Sequence, residues 1–160
     1  NKIYQILNKN FIIKNNLKKK YTLLVTFGGI DDRDILSIFC NVIEKYLDKI
    51  IVKIIQGPET KTHQRLKKLQ RRNMKKLFVI NYTNNMKNEM ARSKYGLCSG
   101  GITSYEFAFM KIPFAIICQY PHQLKTALEW EQKGLAKNLG FSLNKLEQKS
   151  KNQTINTLYE

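Results

Sequence analysis

The residues of this sequence best suited to chemistry are two pairs of glycines and the hydroxyl and carboxyl groups beside them. The stronger run is Ser99-Gly100-Gly101-Ile102-Thr103-Ser104-Tyr105-Glu106. Adjacent glycines let backbone approach a ligand closely, and the hydroxyls of Ser99, Thr103 and Ser104 can cap a helix or donate to phosphate. A helix starting there aims its unpaired N–H groups at the same spot, which suits an anion. Glu106 lies one turn beyond Thr103. It can close a capping box with that threonine, or reach the mouth of the loop and accept both hydroxyls of a ribose diol.

The second run, Phe27-Gly28-Gly29-Ile30-Asp31-Asp32, is less specific. It is neither GxGxxG nor a P-loop, so neither dinucleotide nor P-loop binding follows. Its carboxylates would repel phosphate, which leaves Asp31 to cap a helix or meet a sugar hydroxyl, and the glycines to make a tight turn at positive φ. A third element, Tyr120-Pro121-His122-Gln123, follows an apolar run and precedes a helical one. His122 reads equally as a loop histidine or a catalytic one; His63, in a basic stretch, reads as a surface residue. Cys40, Cys98 and Cys118 are scattered, with no CxxC and no His at ligand spacing, so they offer no metal set. Each borders apolar sequence, as buried free thiols of a reducing compartment do. No Ser–His–Asp set or close carboxylate pair can be assembled.

Positioning these groups requires strands that end at the glycines and helices that begin after them. Tyr21 to Phe27, Ile50 to Ile55, Leu77 to Ile80, Tyr95 to Cys98 and Pro113 to Cys118 read as buried strands. Helical patterns fill the gaps: Asp31 to Leu47, a basic stretch to Arg72, one capped by Asn84 or Asn85, Thr103 to Met110, Gln123 to Lys133, and a last one from Ser142. This alternation predicts an α/β fold, an open and mostly parallel sheet with helices on both faces. In such a sheet ligands bind beyond the C-terminal ends of the strands.

With 160 residues the chain is one domain, residues 21–160, entered through a connector at 1–20. It carries 28 Lys and Arg against 12 Asp and Glu, a net +16. That balance invites nucleic acid, an anionic membrane or a phosphorylated ligand. The bland account is compositional: 23 Lys, 15 Asn and 18 Ile against 5 Arg is the inflation that an A/T-rich coding sequence produces. A nucleic-acid reader favours Arg. No apolar run approaches the ~20 residues of a spanning helix.

On the string SGGxTxxE…P…Q and on VTFGGIDDRD, the sequence resembles the nucleotide-binding C-terminal half of two-domain GT-B sugar-nucleotide enzymes. Its nearest likeness is to the UDP-sugar hydrolases of pseudaminic acid biosynthesis and their spore-coat polysaccharide relatives, with family 28 glycosyltransferases more distant. The resemblance spans nearly the whole chain. It implies a Rossmann-like half, with the first glycine loop at Gly28 and Gly29. Ser99, Gly100, Gly101, Ile102 and Thr103 would lie at the diphosphate, Glu106 at the ribose, Gln123 at the phosphate or sugar end, and Ile80 to Tyr82 near the uracil. His122 departs from the hydrolases, which carry Asn there, and matches the transferases; Lys94 replaces a usual acid. The family's catalytic histidine belongs to an N-terminal domain absent from these residues, so no catalytic residue is expected here beyond the weak candidate His122. The expected partners are UDP or a UDP-amino-sugar and that N-terminal domain. A metal, a cofactor and obligatory nucleic acid are not expected, a cytoplasmic location is, and weak anionic-membrane association is left open. The readings to separate are the UDP-binding half of a hydrolase, that of a glycosyltransferase, and a basic module for nucleic acid or anionic lipid using Lys18 to Lys20 and Arg65 to Lys76.

Overall fold

The computed structural model describes residues 17–29, 31, 34–58 and 64–141; the first sixteen residues of the expected connector, His63 and the helix expected from Ser142 lie outside them. Strands and helices alternate: β1 (Tyr21–Thr26), α1 (Ile35–Ile43, prolonged by a 3-10 turn at Glu44–Tyr46), β2 (Val52–Ile55), α2 (Gln64–Arg72), β3 (Leu77–Ile80), α3 (Met86–Ala91). They continue as β4 (Ser93–Cys98), α4 (Ile102–Phe109), β5 (Phe114–Cys118), α5 (Pro121–Gln132) and β6 (Ala136–Phe141).

Local chemistry explains most boundaries. In α1 the residues Ile35, Leu36, Phe39, Cys40 and Ile43 recur at helical spacing and are all buried. The Asn85 side chain accepts the Asn88 N–H at 3.2 Å and starts α3. Pro121 stands in the first turn of α5, where its missing N–H costs nothing, and Gly134 at φ 67 follows that helix. The second strand begins at Val52 rather than Ile50, because the Lys49 and Ile50 N–H groups close a turn on the Tyr46 carbonyl at 2.9 and 3.0 Å. The fourth begins earlier than its apolar run, at Ser93, which pairs with Tyr21. β6 is a half-exposed edge strand of mixed polarity, with no apolar pattern to announce it.

The sheet order is β3-β2-β1-β4-β5-β6, and every neighbouring pair is parallel. The chain winds outward from β1 in one direction and from β4 in the other, so the winding reverses between those two strands. One face packs Leu23, Val25, Val52 and Ile54 under α1 and α2. The other packs Leu24, Ile55, Ile116 and Phe114 under α3, α4 and α5. On this second face Lys53 of β2 meets Glu89 of α3 at 2.7 Å, a largely buried ion pair. The three cysteines are buried and free, and burial pushes the Cys40 thiol up to about 11. Among the described residues no helix is long and apolar enough to cross a membrane.

α4 can approach the sheet closely because β4 carries Gly96. A Cβ at that position would stand 2.5 Å from the ring of fully buried Phe107, which stacks on Phe114 with centroids 5.6 Å apart. Gly96→Ala is therefore expected to cost about 1–3 kcal/mol through overpacking. A urea melt measures this, and an unchanged midpoint would mean that the ring yields without strain.

Candidate functional site

The two glycine loops are far apart in sequence, yet they follow the two strands between which the winding reverses. Gly28 adopts φ 87, the positive value its tight turn requires. The loop then rests on the end of β2: a Cβ on Gly57 would collide with the carbonyl oxygens of Gly28 and Gly29. Asp31 is the cap of α1. Its carboxylate oxygens accept the N–H groups of Ile35 and Leu36, each at 2.9 Å. Those donors are thereby taken, so this helix start offers them to no external anion. Asp34 stands at the N-cap position in left-handed conformation (φ 54).

The second loop is built differently. α4 starts one residue ahead of expectation, at Ile102, with extended Gly101 as its N-cap and no side chain capping it. Thr103 is thus inside the first turn, and of the two roles open to Glu106 the capping box with Thr103 does not form. Ser104 is not a ligand donor either. Its buried hydroxyl donates to the Gly101 carbonyl at 2.7 Å and accepts the indole N–H of Trp130 at 3.2 Å. The N–H groups of Ile102 and Thr103 make no hydrogen bond among the described residues, and the Ile102 side chain is 62% exposed. This helix start is open.

Glu106 lies one turn further along α4. It has no hydrogen bond or ion pair among the described residues, and burial pushes its carboxyl above the usual range. Burial holds the thiol of Cys98, on the neighbouring strand end, in the neutral form, and the charge of Glu106 adds to that. A half-buried carboxylate without a donor is poised to accept hydrogen bonds from a ligand that can displace its remaining water.

Two glutamines join the loops, and sequence reasoning found only one. Gln123 is buried, and its Oε1 accepts the backbone N–H of Gln119 at 2.7 Å; its carbonyl and Cβ crowd Gly100 so closely that a Cβ there would stand 2.8 and 2.7 Å away. Gln123 therefore turns its oxygen inward and keeps only its amide N–H groups for other contacts. Gln119, not singled out in the sequence, donates its Nε2 to the Phe27 carbonyl at 2.7 Å and thereby ties the end of β5 to the end of β1. The available signal was a polar residue closing an otherwise apolar strand. Ser99 is buried too, its Oγ 3.5 Å from the same carbonyl.

His122 is exposed in the first turn of α5, its ring lying flat on that of Tyr120 with centroids 5.6 Å apart and an interplanar angle of 8°. Ile80 and Tyr82 belong to the end of edge strand β3, separated from β4 in the sheet by β2 and β1, with Tyr82 exposed. Among the described residues no group of three or more His, Cys, Asp or Glu could hold a metal ion.

No protein-family model matches the chain. Over 124 residues it is 26% identical to an uncharacterized protein of Methanocaldococcus jannaschii, the match covering 74% of this chain and 25% of that protein. Among solved structures, Acinetobacter baumannii MurG is similar with a TM-score of 0.65 at 16% identity, over 99% of this chain and 44% of that one. MnaA of S. aureus, in a co-structure with UDP, gives 0.56 at 13%, over 93% and 41%. A UDP-N-acetylglucosamine 2-epimerase gives 0.53 at 11%, over 96% and 41%. The chain thus spans a quarter of the curated relative and less than half of each of these structures. The likeness establishes the fold: a Rossmann-like half of the GT-B type.

The desolvation of Glu106 gives the site a pH signature. Ionising this carboxyl costs more in the folded protein than in the unfolded chain, so its penalty is absent in acid, sets in as pH rises past the ordinary carboxylate range and is complete above the elevated folded value. Glu106→Gln removes the penalty. The variant should melt with wild type near about pH 4 and above it at about pH 7, where solvated carboxylates are ionised. Coincident melts at both pH values would show the carboxylate to be fully solvated.

Proposed function

We propose that this chain is the UDP-binding half of a two-domain nucleotide-sugar enzyme. The observation that carries the reading is the pairing, at the reversal of the sheet, of an open helix start on a Gly-Gly loop with a half-buried carboxylate one turn along the same helix. The N–H groups of Ile102 and Thr103, with the close backbone of Gly100 and Gly101, suit a diphosphate, and Glu106 suits the ribose diol. Gly28 and Gly29 wall the other side, and Ser99 positions the loop from within. Ile80 and Tyr82 would border the uracil, and the Nε2 of Gln123 the sugar end. The solved structures that share the fold include one described with UDP and one described as an epimerase of a UDP-sugar.

In this reading residues 1–20 are a connector, residues 21–160 the nucleotide domain, and a further domain supplies the general base. The reaction is release of UDP from an amino-sugar nucleotide in the synthesis of a surface glycan such as pseudaminic acid or a spore-coat-like polysaccharide. Donor N–H groups at the diphosphate would stabilise the charge that develops on the leaving UDP. Buried free cysteines fit a reducing compartment such as the cytoplasm. Glycosyl transfer is the second reading, favoured by His122, which stands exposed at the start of α5 where the resembling transferases carry the same residue.

Isothermal titration of the 160-residue chain with UDP tests the site. Binding is expected with a Kd between micromolar and millimolar, ~4–8 kcal/mol. Glu106→Ala should weaken it about tenfold or more, the worth of a charge-assisted hydrogen bond of ~1.5–3 kcal/mol. Absence of UDP binding, or binding indifferent to Glu106, would overturn the assignment.

A further inference from the structure

The cations are not spread evenly over the fold. Each strand is preceded by at least one: Lys20 before β1, Lys49 before β2, Lys76 before β3, Arg92 before β4, Lys111 before β5 and Lys133 before β6. The segments leaving the strands toward the following helices hold no Lys or Arg among the described residues; Arg33 and Lys61 lie outside them. Random lysine inflation would populate both edges of the sheet. Attraction between cations and helix C-termini accounts for one cation at each helix end. It does not account for the doubled Arg71-Arg72 and Lys75-Lys76 around one helix end.

The same edge exposes aliphatic side chains. Leu17 precedes β1, Met74 precedes β3 and Leu135 precedes β6, with 40%, 72% and 42% of their surfaces open. Each is a near neighbour of lysines in sequence. Between the starts of β1 and β4 lies a cavity of about 400 Å³ lined by Leu17, Lys18, Lys19, Lys20 and Arg92. The acids near this edge are Glu44, which pairs with Arg65 at 3.7 Å, Glu131, which pairs with Lys137 at 3.6 Å, and the exposed Asp48 and Glu129, fewer than the cations.

We propose that this edge, opposite the glycine loops, docks on an anionic lipid surface. Lysines supply flexible point charges for headgroup phosphates, and the exposed Leu and Met side chains supply apolar contact at the acyl boundary. A nucleic-acid groove would instead carry aromatic platforms among the cations. The aromatics nearest this edge are committed inward: Tyr21 and Trp130 are buried, capped by Lys20 and Lys133 at 5.5 and 4.9 Å. Docked this way, the molecule points its glycine loops away from the lipid.

Co-sedimentation of the full chain with vesicles of phosphatidylcholine, alone or with one-third phosphatidylglycerol, tests this. Binding is expected only to the anionic vesicles, and it should weaken about tenfold or more at high salt, as screening shortens the reach of the charges. The triple variant Lys49→Glu, Lys111→Glu, Lys133→Glu should lose at least about tenfold, whereas Lys67→Glu, Lys68→Glu, Lys125→Glu, with the same charge change on helix faces away from this edge, should bind nearly as wild type. Met74→Ser with Leu135→Ser, which alters no charge, should weaken vesicle binding and leave retention on heparin unchanged. No vesicle binding by wild type, or equal losses in the two triple variants, overturns the proposal. So does tighter binding to duplex DNA or RNA that ignores Met74 and Leu135.

Discussion

The side-chain amide of Gln119 donates to the carbonyl of Phe27 across the end of the intervening strand β4, and the geometry of the candidate site follows from that contact. The Phe27 carbonyl ends β1 and has no further strand to pair with. An internal donor satisfies it at low dielectric, where leaving it bare would cost ~1–3 kcal/mol. Gln119 in turn gives its own N–H to Gln123, which presses on Gly100. A chain of short contacts therefore runs from the first glycine loop to the second. Glycine is required at Gly57 and Gly100 for a shared reason: backbone from another segment occupies the space of a side chain.

Most of the fold was legible because the strands are short, apolar and bounded by glycine or polar turns. YTLLVT, LFVI and FAIIC carry that signal without help from tertiary context. β6 carried no signal of its own, since an edge strand needs only a partner on one side and tolerates Lys137 and Asn138. At the site, the two Gly-Gly loops and Glu106 were readable from residue type and spacing. The roles of the hydroxyls were not: Ser104 is consumed by Gly101 and Trp130, a contact between helices that spacing along one helix cannot reveal. Gln119 and Gly57 escaped notice because their roles depend on which strands are neighbours, and the reversal of the winding sets that.

The net charge of the sequence is divided by the fold. Among the described residues, the segments at the edge that would hold a phosphorylated ligand carry no Lys or Arg and offer backbone dipoles, which attract an anion without the reorganisation that long side chains need. The cations gather at the opposite edge, beyond the length of the strands. In the proposed reading, ligand recognition and surface electrostatics are therefore separable.

At the reversal point, two helices begin side by side but are not equivalent. Asp31 fills the start of α1 from within the chain, while among the described residues no side chain caps the start of α4. A cleft between two open helix starts would be nearly symmetric toward an anion, and an elongated ligand with a charged middle could lie in it either way round. Closing one start with the protein's own carboxylate breaks that degeneracy. In the proposed reading this asymmetry gives the crevice a head and a tail, and it would fix the order of a ligand's parts along it.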